Sequence, residues 1–291
     1  MRRLLRPVLA GLALTLLGAA AHAAGASPLW VIKGKTNNVY LLGSVHVLRA
    51  SDYPLPAAIL DAYRDAEILF MEVDLDDLDA GEALQYTLNN GSLPPDRSLR
   101  DVLGLEDFTV ADMKANAIGI DLGLFARFEP WVAALAVVQA QVASLGLEPE
   151  NGVEQYLLRL TQQDHKEVRG LETLADQLGV LDSLALDRQG KFLLMSLEDA
   201  EAKSEQLDEM IAAWRGGDVA RLAATLSEEF ADFPDLYTPL IVARNRNWTG
   251  QIVQLLDDKD DYLVVMGALH LVGKDSVIQM LNARGIRARQ R

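Results

Sequence analysis

Residues 39–73 read VYLLGSVHVLRASDYPLPAAILDAYRDAEILFMEV and contain two apolar runs that are typical of buried strands. The runs occupy residues 39–43 and 68–73, and residues 56–66 between them carry apolar side chains at helical spacing. A strand–helix–strand connection of this size joins parallel strands of one sheet. The C-terminal ends of both strands then lie at the same edge of the sheet, where open α/β proteins form their sites.

Other strand patterns cluster near the two ends of the chain. Residues 30–32 precede the turn-rich segment 34–38, which predicts a hairpin with the run at 39–43. Further strand-like runs occupy residues 167–171, 262–266 and 286–289. Helical patterns fill most of the chain between them, and no Pro/Ser-rich linker divides it. We therefore predict one α/β domain over residues 24–291, with a mixed, largely parallel sheet and a large helical insertion at about residues 76–256.

The first 23 residues have the pattern of a secretory signal peptide. Three arginines lie within the first six residues, an apolar run covers residues 8–21, and the small residues Ala21 and Ala23 suit cleavage after Ala23. The apolar run is shorter than the roughly 18 residues that a membrane-spanning helix needs. We expect a periplasmic or secreted protein with no membrane span after cleavage; the alternative is an uncleaved membrane anchor.

Composition and charge exclude several classes of function. Hydrophobic residues make up 50% of the chain and charged residues 24%, which fits a globular protein. Cleavage leaves 24 Lys and Arg against 42 Asp and Glu, a net charge of −18, and this charge repels nucleic-acid phosphates. The absence of cysteine excludes disulfides, thiol catalysis and Cys-based zinc sites. The sequence also contains no Walker, dinucleotide-binding, serine-hydrolase or His-Glu-x-x-His motif.

Two apolar strands end in the same motif, Gly-x-x-His, at Gly43/His46 and Gly267/His270. An imidazole at the end of a strand serves as a metal ligand or as a general base near neutral pH. The two histidines are 224 positions apart, so only the fold can bring them together. The alternative is that they are unrelated side chains bonded to nearby backbone groups.

Acidic residues also lie at the ends of predicted strands. Glu72 ends the second predicted strand, on the edge expected for His46, where a carboxylate suits a metal ligand or a general base. A surface acid is the alternative for Glu72, and Asp74 is the second choice for its role. Glu172 follows the third predicted strand and reaches this edge if that strand joins the sheet; otherwise it begins the next helix.

For three further residues, the neighbouring sequence indicates a role less clearly. Arg244 lies in a predicted helix near Trp248, and a buried Arg either stabilises an oxyanion or forms a salt bridge with one of the many acids. Glu154 either begins a helix or faces the site. His165 precedes the third strand, so we expect it on the surface at the opposite edge of the sheet.

A series of short motifs resembles the TraB/PrgY/GumN family, and the signal peptide suits its secreted GumN-like branch. The motifs are LLGSVHV at 41–47, FMEVD at 70–74, EPW at 129–131, GLET at 170–173 with Gln177, AWRGGD at 213–218, RN at 244–245 and GALHL at 267–271. Each motif is weakly specific, but their number and order cover almost the whole mature chain.

The resemblance implies both a fold and a site. The family includes the TIKI proteins, which look like metal-dependent proteases with paired Gly-x-x-His motifs, and it is distantly similar to erythromycin-esterase-like hydrolases and the haem-binding ChaN-like fold. It implies that His46, Glu72 and His270 form the core of the site, and Glu172 and Arg244 match family positions as well. At position 154 the family more often has Asp, so the role of Glu154 stays open.

A metal-dependent hydrolase of peptide or amide bonds is the first functional hypothesis. His46, Glu72, Glu172 and His270 would bind a divalent ion, and their mixed N/O donors allow Mn²⁺, Co²⁺ or Zn²⁺. Arg244 would stabilise developing negative charge on a peptide or small-molecule substrate. Three alternatives remain. The first is a metal-free, esterase-like hydrolase in which His46 activates a water that Glu72 orients. The second is a regulatory or ligand-binding protein for haem, a metal or a peptide, and the third is a structural envelope protein.

Overall fold

The computed structural model describes residues 27–77, 80–197 and 200–291, and the predicted signal peptide at residues 1–23 lies outside them. Ser27 is buried beside the end of the chain, where its backbone N–H donates to the carbonyl oxygen of Arg291 at 2.6 Å. In the described part of the chain, no helix combines the length and the apolarity needed to cross a membrane.

One six-stranded sheet runs through the described residues. Its strands are β1 (Leu29–Lys33), β2 (Asn38–Ser44), β3 (Ile68–Val73), β4 (Glu167–Glu172), β5 (Tyr262–Gly267) and β6 (Arg289–Gln290). Their order in the sheet is β4-β3-β5-β2-β1-β6. The four strands from β4 to β2 are parallel, and β1 and β6 are antiparallel additions at one edge. The predicted α/β class with a mixed, largely parallel sheet is therefore confirmed.

Strand β5 lies between β2 and β3, although it comes near the end of the chain. The strand–helix–strand unit predicted from residues 39–73 is present, with β2 and β3 parallel in one sheet, but the two strands are not adjacent. Every residue of β5 is buried, as is typical of a central parallel strand covered on both faces. Sequence spacing carries no information about which strand fills the gap between β2 and β3.

Helices surround this sheet. The α-helices are α1 (Ala57–Asp65), α2 (Ala80–Asn90), α3 (Leu99–Leu103), α4 (Leu105–Ala117), α5 (Pro130–Ser144), α6 (Val153–Asp164), α7 (Leu174–Asp182), α8 (Leu186–Ser196), α9 (Ala200–Gly216), α10 (Val219–Glu229), α11 (Pro234–Tyr237), α12 (Ala243–Leu255) and α13 (Val277–Ala283). A π-helical turn, Thr238–Val242, joins α11 to α12. Short 3₁₀ turns occur at Ala50–Asp52, Leu122–Phe125, Pro149–Asn151 and Ala268–His270.

Most element boundaries agree closely with the sequence patterns. Helix α5 begins at Pro130 because proline is favourable at the first helical position. The predicted edge strand at residues 286–289 is confirmed as β6, but it begins only at Arg289. The reason is that Gly285, with a φ of 78°, follows α13 in a left-handed conformation, and residues 286–288 connect it to the sheet.

The main core lies against the sheet, and smaller apolar clusters lie among the helices. Side chains of the central strands are fully buried with Trp214 and Trp248, which come from α9 and α12. The indole N–H of Trp214 donates to the carbonyl oxygen of Gly43 at 2.6 Å and so fixes α9 to the end of β2. A second cluster joins α4, α5 and α8 away from the sheet.

Replacing Leu41 by Ala should destabilise the protein, because this β2 side chain is fully buried in the main core. We expect a loss of about 2–5 kcal/mol in the free energy of unfolding, measured by urea denaturation. The matched control is Leu88→Ala on α2, whose side chain is 52% exposed and whose loss should cost less than about 0.5 kcal/mol. Equal effects of the two substitutions would contradict this assignment of the core.

Candidate functional site

Four of the residues singled out in the sequence lie at the C-terminal edge of the four parallel strands. His46 follows β2, Glu72 lies near the end of β3, Glu172 is the last residue of β4 and His270 follows β5. Helix α12 places Arg244 among them. The topology therefore brings together residues that are up to 224 positions apart in the chain.

Three of these side chains converge at Gly267. A Cβ atom placed on Gly267 would lie 3.3 Å from His46 Nε2, 3.4 Å from Glu72 Oε1 and 3.5 Å from His270 Cδ2. The lack of a side chain at this position therefore lets the three groups approach the same point. An open pocket of about 330 Å³ lies here, and its walls include His46, Glu72, Glu154 and Gln177.

Glu154 holds the His46 ring. Its Oε1 lies 2.8 Å from His46 Nδ1 and also accepts a hydrogen bond from the Ser44 hydroxyl. The His46 side chain is 63% exposed, so Nδ1 is held while the ring remains open to the pocket. The negative charge of Glu154 raises the pKa of His46 above its ordinary value. The sequence left open whether Glu154 faces the site, and the structure shows that its carboxylate contacts His46.

Close backbone packing brings Glu154 to His46. A Cβ atom on Gly152 would lie 2.1 Å from the backbone oxygen of His46, so only glycine fits where α6 begins. The backbone N–H of Val153 also donates to the carbonyl oxygen of Val45 at 3.1 Å. The start of α6 is therefore held against the loop that carries His46.

Glu72 is buried and accepts three hydrogen bonds. The backbone N–H of Gly267 donates to Oε1 at 2.8 Å, and Arg244 and Gln177 donate to Oε2 at 2.7 and 3.3 Å. Burial alone would raise the pKa of Glu72, but the neighbouring imidazoles, Arg244 and the Gly267 N–H lower it to about 2. The carboxylate is therefore ionised at neutral pH.

Arg244 is the central cation of the site. One of its terminal nitrogens lies 2.7 Å from Glu72 Oε2 and 2.7 Å from Glu172 Oε1, and the guanidinium stacks on the Trp248 ring at 4.5 Å. Its other terminal nitrogen lies 3.4 Å from His270 Nε2. The structure shows the salt-bridge alternative for Arg244, and the partners are the carboxylates of the site itself.

His270 is buried and fixed in one tautomer. Burial lowers its pKa to about 4, so the ring is neutral at neutral pH. Nδ1 lies 2.7 Å from Asn245 Oδ1, an acceptor, so Nδ1 carries the proton and Nε2 presents a lone pair towards Arg244. Asn245, next to Arg244 on α12, thus sets the orientation of the ring.

Two other candidates lie outside this cluster. Asp74 Oδ1 accepts a hydrogen bond from the backbone N–H of Asp76 at 3.0 Å, and Asp74 lines a second, acidic pocket with Asp77, Glu82 and Glu172. Its expected role as a substitute for Glu72 is therefore not supported by its position. His165 is exposed at the end of α6, just before β4, which confirms the prediction of a surface residue.

Three of the four residues expected to bind metal, Glu72, Glu172 and His270, contact Arg244, whereas His46 contacts Glu154. In the described residues, no group of three or more His, Cys, Asp or Glu side chains is placed to hold an ion. The donor chemistry is nevertheless suitable, because Nδ1 of both histidines is bonded to an acceptor and Nε2 faces inward, as in many metal sites. Coordination by all four residues requires the Arg244 side chain to withdraw.

Comparison with known proteins agrees with the motifs. A sequence model of the TraB/PrgY/gumN family matches residues 28–290. Uncharacterized protein YbaP of Escherichia coli (strain K12) is 28% identical over 243 residues, which cover 83% of this chain and 87% of YbaP. An uncharacterized protein of Treponema pallidum (strain Nichols) is 24% identical over 268 residues, 88% of this chain and 80% of that protein. No solved structure gives a significant match.

Replacing Glu154 by Gln should lower the pKa of His46, because the neutral amide stabilises the imidazolium less than the carboxylate does. The measurement is an NMR titration of the His46 ring in protein freed of divalent metal. Glu150→Gln is the matched control, since Glu150 is an exposed acid close to the start of α6. An unchanged His46 titration in the Glu154 variant would show that this carboxylate does not control the ring.

Proposed function

Because this chain belongs to the TraB/PrgY/gumN family, we propose that it is a metal-dependent hydrolase of peptide or amide bonds, exported to the periplasm or secreted. The observation that carries this proposal is the meeting of both Gly-x-x-His imidazoles and Glu72 at Gly267, where His46 and Glu72 also line an open pocket. Perturbed ionisable groups that converge in a pocket are characteristic of catalytic sites.

His46, Glu72, Glu172 and His270 are the residues that would hold the divalent ion once Arg244 moves away from the two carboxylates. When bound, such an ion acidifies a water molecule and polarises a carbonyl group. Glu154 and Asn245 keep the Nε2 atoms of the two imidazoles directed inward. Arg244 supplies N–H donors for negative charge that develops on the substrate carbonyl oxygen.

A metal-free hydrolase is the second candidate, and the His46–Glu154 contact favours it. In this mechanism, His46 acts in its neutral form, which the raised pKa of about 10 makes the major form only at alkaline pH. Nε2 then takes a proton from water while the water oxygen bonds to the substrate carbonyl carbon. Glu154 stabilises the imidazolium, and Arg244 stabilises the oxyanion. When the C–N bond breaks, His46 returns the proton to the leaving nitrogen. Glu154 orients His46 here, whereas Glu72 is bonded to Arg244, Gln177 and Gly267.

Metal analysis by mass spectrometry separates these two candidates. We expect near-stoichiometric Mn, Co or Zn in protein starting at residue 24, purified without chelators. The ion should be lost in a His46→Ala/His270→Ala double variant that keeps the circular dichroism spectrum of the wild type. If neither protein holds metal after reloading, the metal-dependent proposal is wrong. Cleavage of a peptide mixture that persists in chelator then supports the metal-free hydrolase, and metal retention without any cleavage supports a binding protein.

Replacing Arg244 by Lys should reduce kcat/KM for peptide cleavage by about 100-fold. Lys keeps the positive charge beside Glu72 and Glu172, but it lacks the planar set of N–H donors that contacts both carboxylates and the substrate. Arg246→Lys is the matched control, because Arg246 is exposed on the same helix. Equal activity of the two variants would remove Arg244 from the proposed mechanism.

A further inference from the structure

Helix α5 carries apolar side chains beyond the face that is buried in the core. Residues 130–147 contain no charged side chain, in a chain that is 24% charged. Trp131, Ala134 and Val137 are fully buried on one face of α5. Beside this buried face, Val138 and Val142 line a pocket of about 260 Å³, and Val138 remains 39% exposed. Packing among the described residues therefore leaves part of the apolar surface of α5 open to this pocket.

This pocket shares a wall with the candidate site. His46 and Pro149 line the site pocket, whereas their chain neighbours Val47 and Leu147 line the α5 pocket. The two chain segments are joined by an antiparallel bridge between Leu48 and Glu148. Because His46 and Val47 are consecutive residues, the two pockets adjoin at this segment. A substrate that crosses this wall can therefore place its reacting bond at His46 and a neighbouring group in the α5 pocket.

The size and lining of the α5 pocket determine which chemical group it can bind. Seven of its ten lining residues are aliphatic or Met, contributed by α5, by α9 and by the segments that carry Val47 and Leu147. Its volume is below the roughly 300–1,000 Å³ of pockets that bury whole drug-sized ligands, so it fits one large side chain. The exposed carboxylate of Glu229 lies at its rim and disfavours an anionic group.

We infer that the α5 pocket is a specificity subsite that binds an uncharged apolar side chain, such as Leu, of a peptide or amide substrate next to the bond cleaved at His46. The inference rests on the proposed function, because it names the substrate class of that site. This role explains why α5 keeps an apolar surface open to the pocket and why the pocket adjoins the candidate site.

Binding is tested with N-acetyl-L-leucinamide as the probe, followed by saturation-transfer NMR. Val138→Asp, which places a charge at a part-exposed position of α5, should weaken binding roughly tenfold or more, as expected for losing the burial of one aliphatic side chain. Thr225→Trp, which fills the pocket from α10, should do the same without adding charge. The matched control is Val110→Asp on α4, where Val110 is 42% exposed outside the pocket and its substitution should leave binding unchanged.

Cleavage of a random peptide mixture, with products identified by mass spectrometry, separates the subsite from the reaction. We expect an excess of Leu and other uncharged apolar residues beside the cut sites, lost in the Val138→Asp variant. Probe binding that depends on Val138 without any cleavage supports the subsite and counts against the hydrolase. Cleavage without apolar preference, or probe binding unaffected by Val138→Asp and Thr225→Trp, overturns the subsite and leaves the hydrolase proposal standing.

Discussion

Burial of β5 between β2 and β3 is the constraint on which the site depends. Hydrogen-bonded pairing of β3 with β5 ends at Phe70 and Val264, whereas pairing of β2 with β5 continues to Ser44 and Gly267. Beyond that point, the Gly267 N–H is bonded to the Glu72 carboxylate instead of a neighbouring strand. A buried N–H without a partner costs roughly 1–3 kcal/mol, so Glu72 stabilises the end of the sheet as well as carrying charge in the pocket.

The charges at this edge are balanced within a small volume. Glu72 and Glu172 are buried beside one arginine, and a buried carboxylate needs a cationic or hydrogen-bonding partner. Glu154 adds a third negative charge beside His46, which explains why the imidazolium is favoured there. The surroundings of His46 therefore stabilise a cation. A proton and a divalent ion both meet this requirement, and binding of a metal at His46 would release a proton.

The same packing links the site to the helical region. Gly152 brings the start of α6 against the His46 loop, and the Leu48–Glu148 bridge continues this contact towards the end of α5. The carboxylate that orients His46 and the apolar face of α5 thus lie on either side of one short wall. Changes in this wall would affect both the orientation of His46 and the shape of the α5 pocket.

Local sequence patterns determined the strands, the clearest helices and the residues at the strand ends, because alternation, helical spacing and Gly or Pro positions act over a few residues. They also placed His46, Glu72 and His270 at one edge, since parallel strands share the direction of their C-terminal ends, and they placed Glu172 there on condition that its strand joined the sheet. Contacts between distant segments were decided only by the tertiary structure. Nothing near Asn245 in the sequence indicates that its side chain bonds His270, and the sequence left open whether Glu154 faces the site. Strand β5 enters the centre of the sheet because its backbone finds hydrogen-bond partners on both sides. For the same reason Arg244, which the sequence offered as an oxyanion or salt-bridge residue, lies between the carboxylates that were expected to hold a metal: burying those charges required a cation, and the fold supplied one from α12.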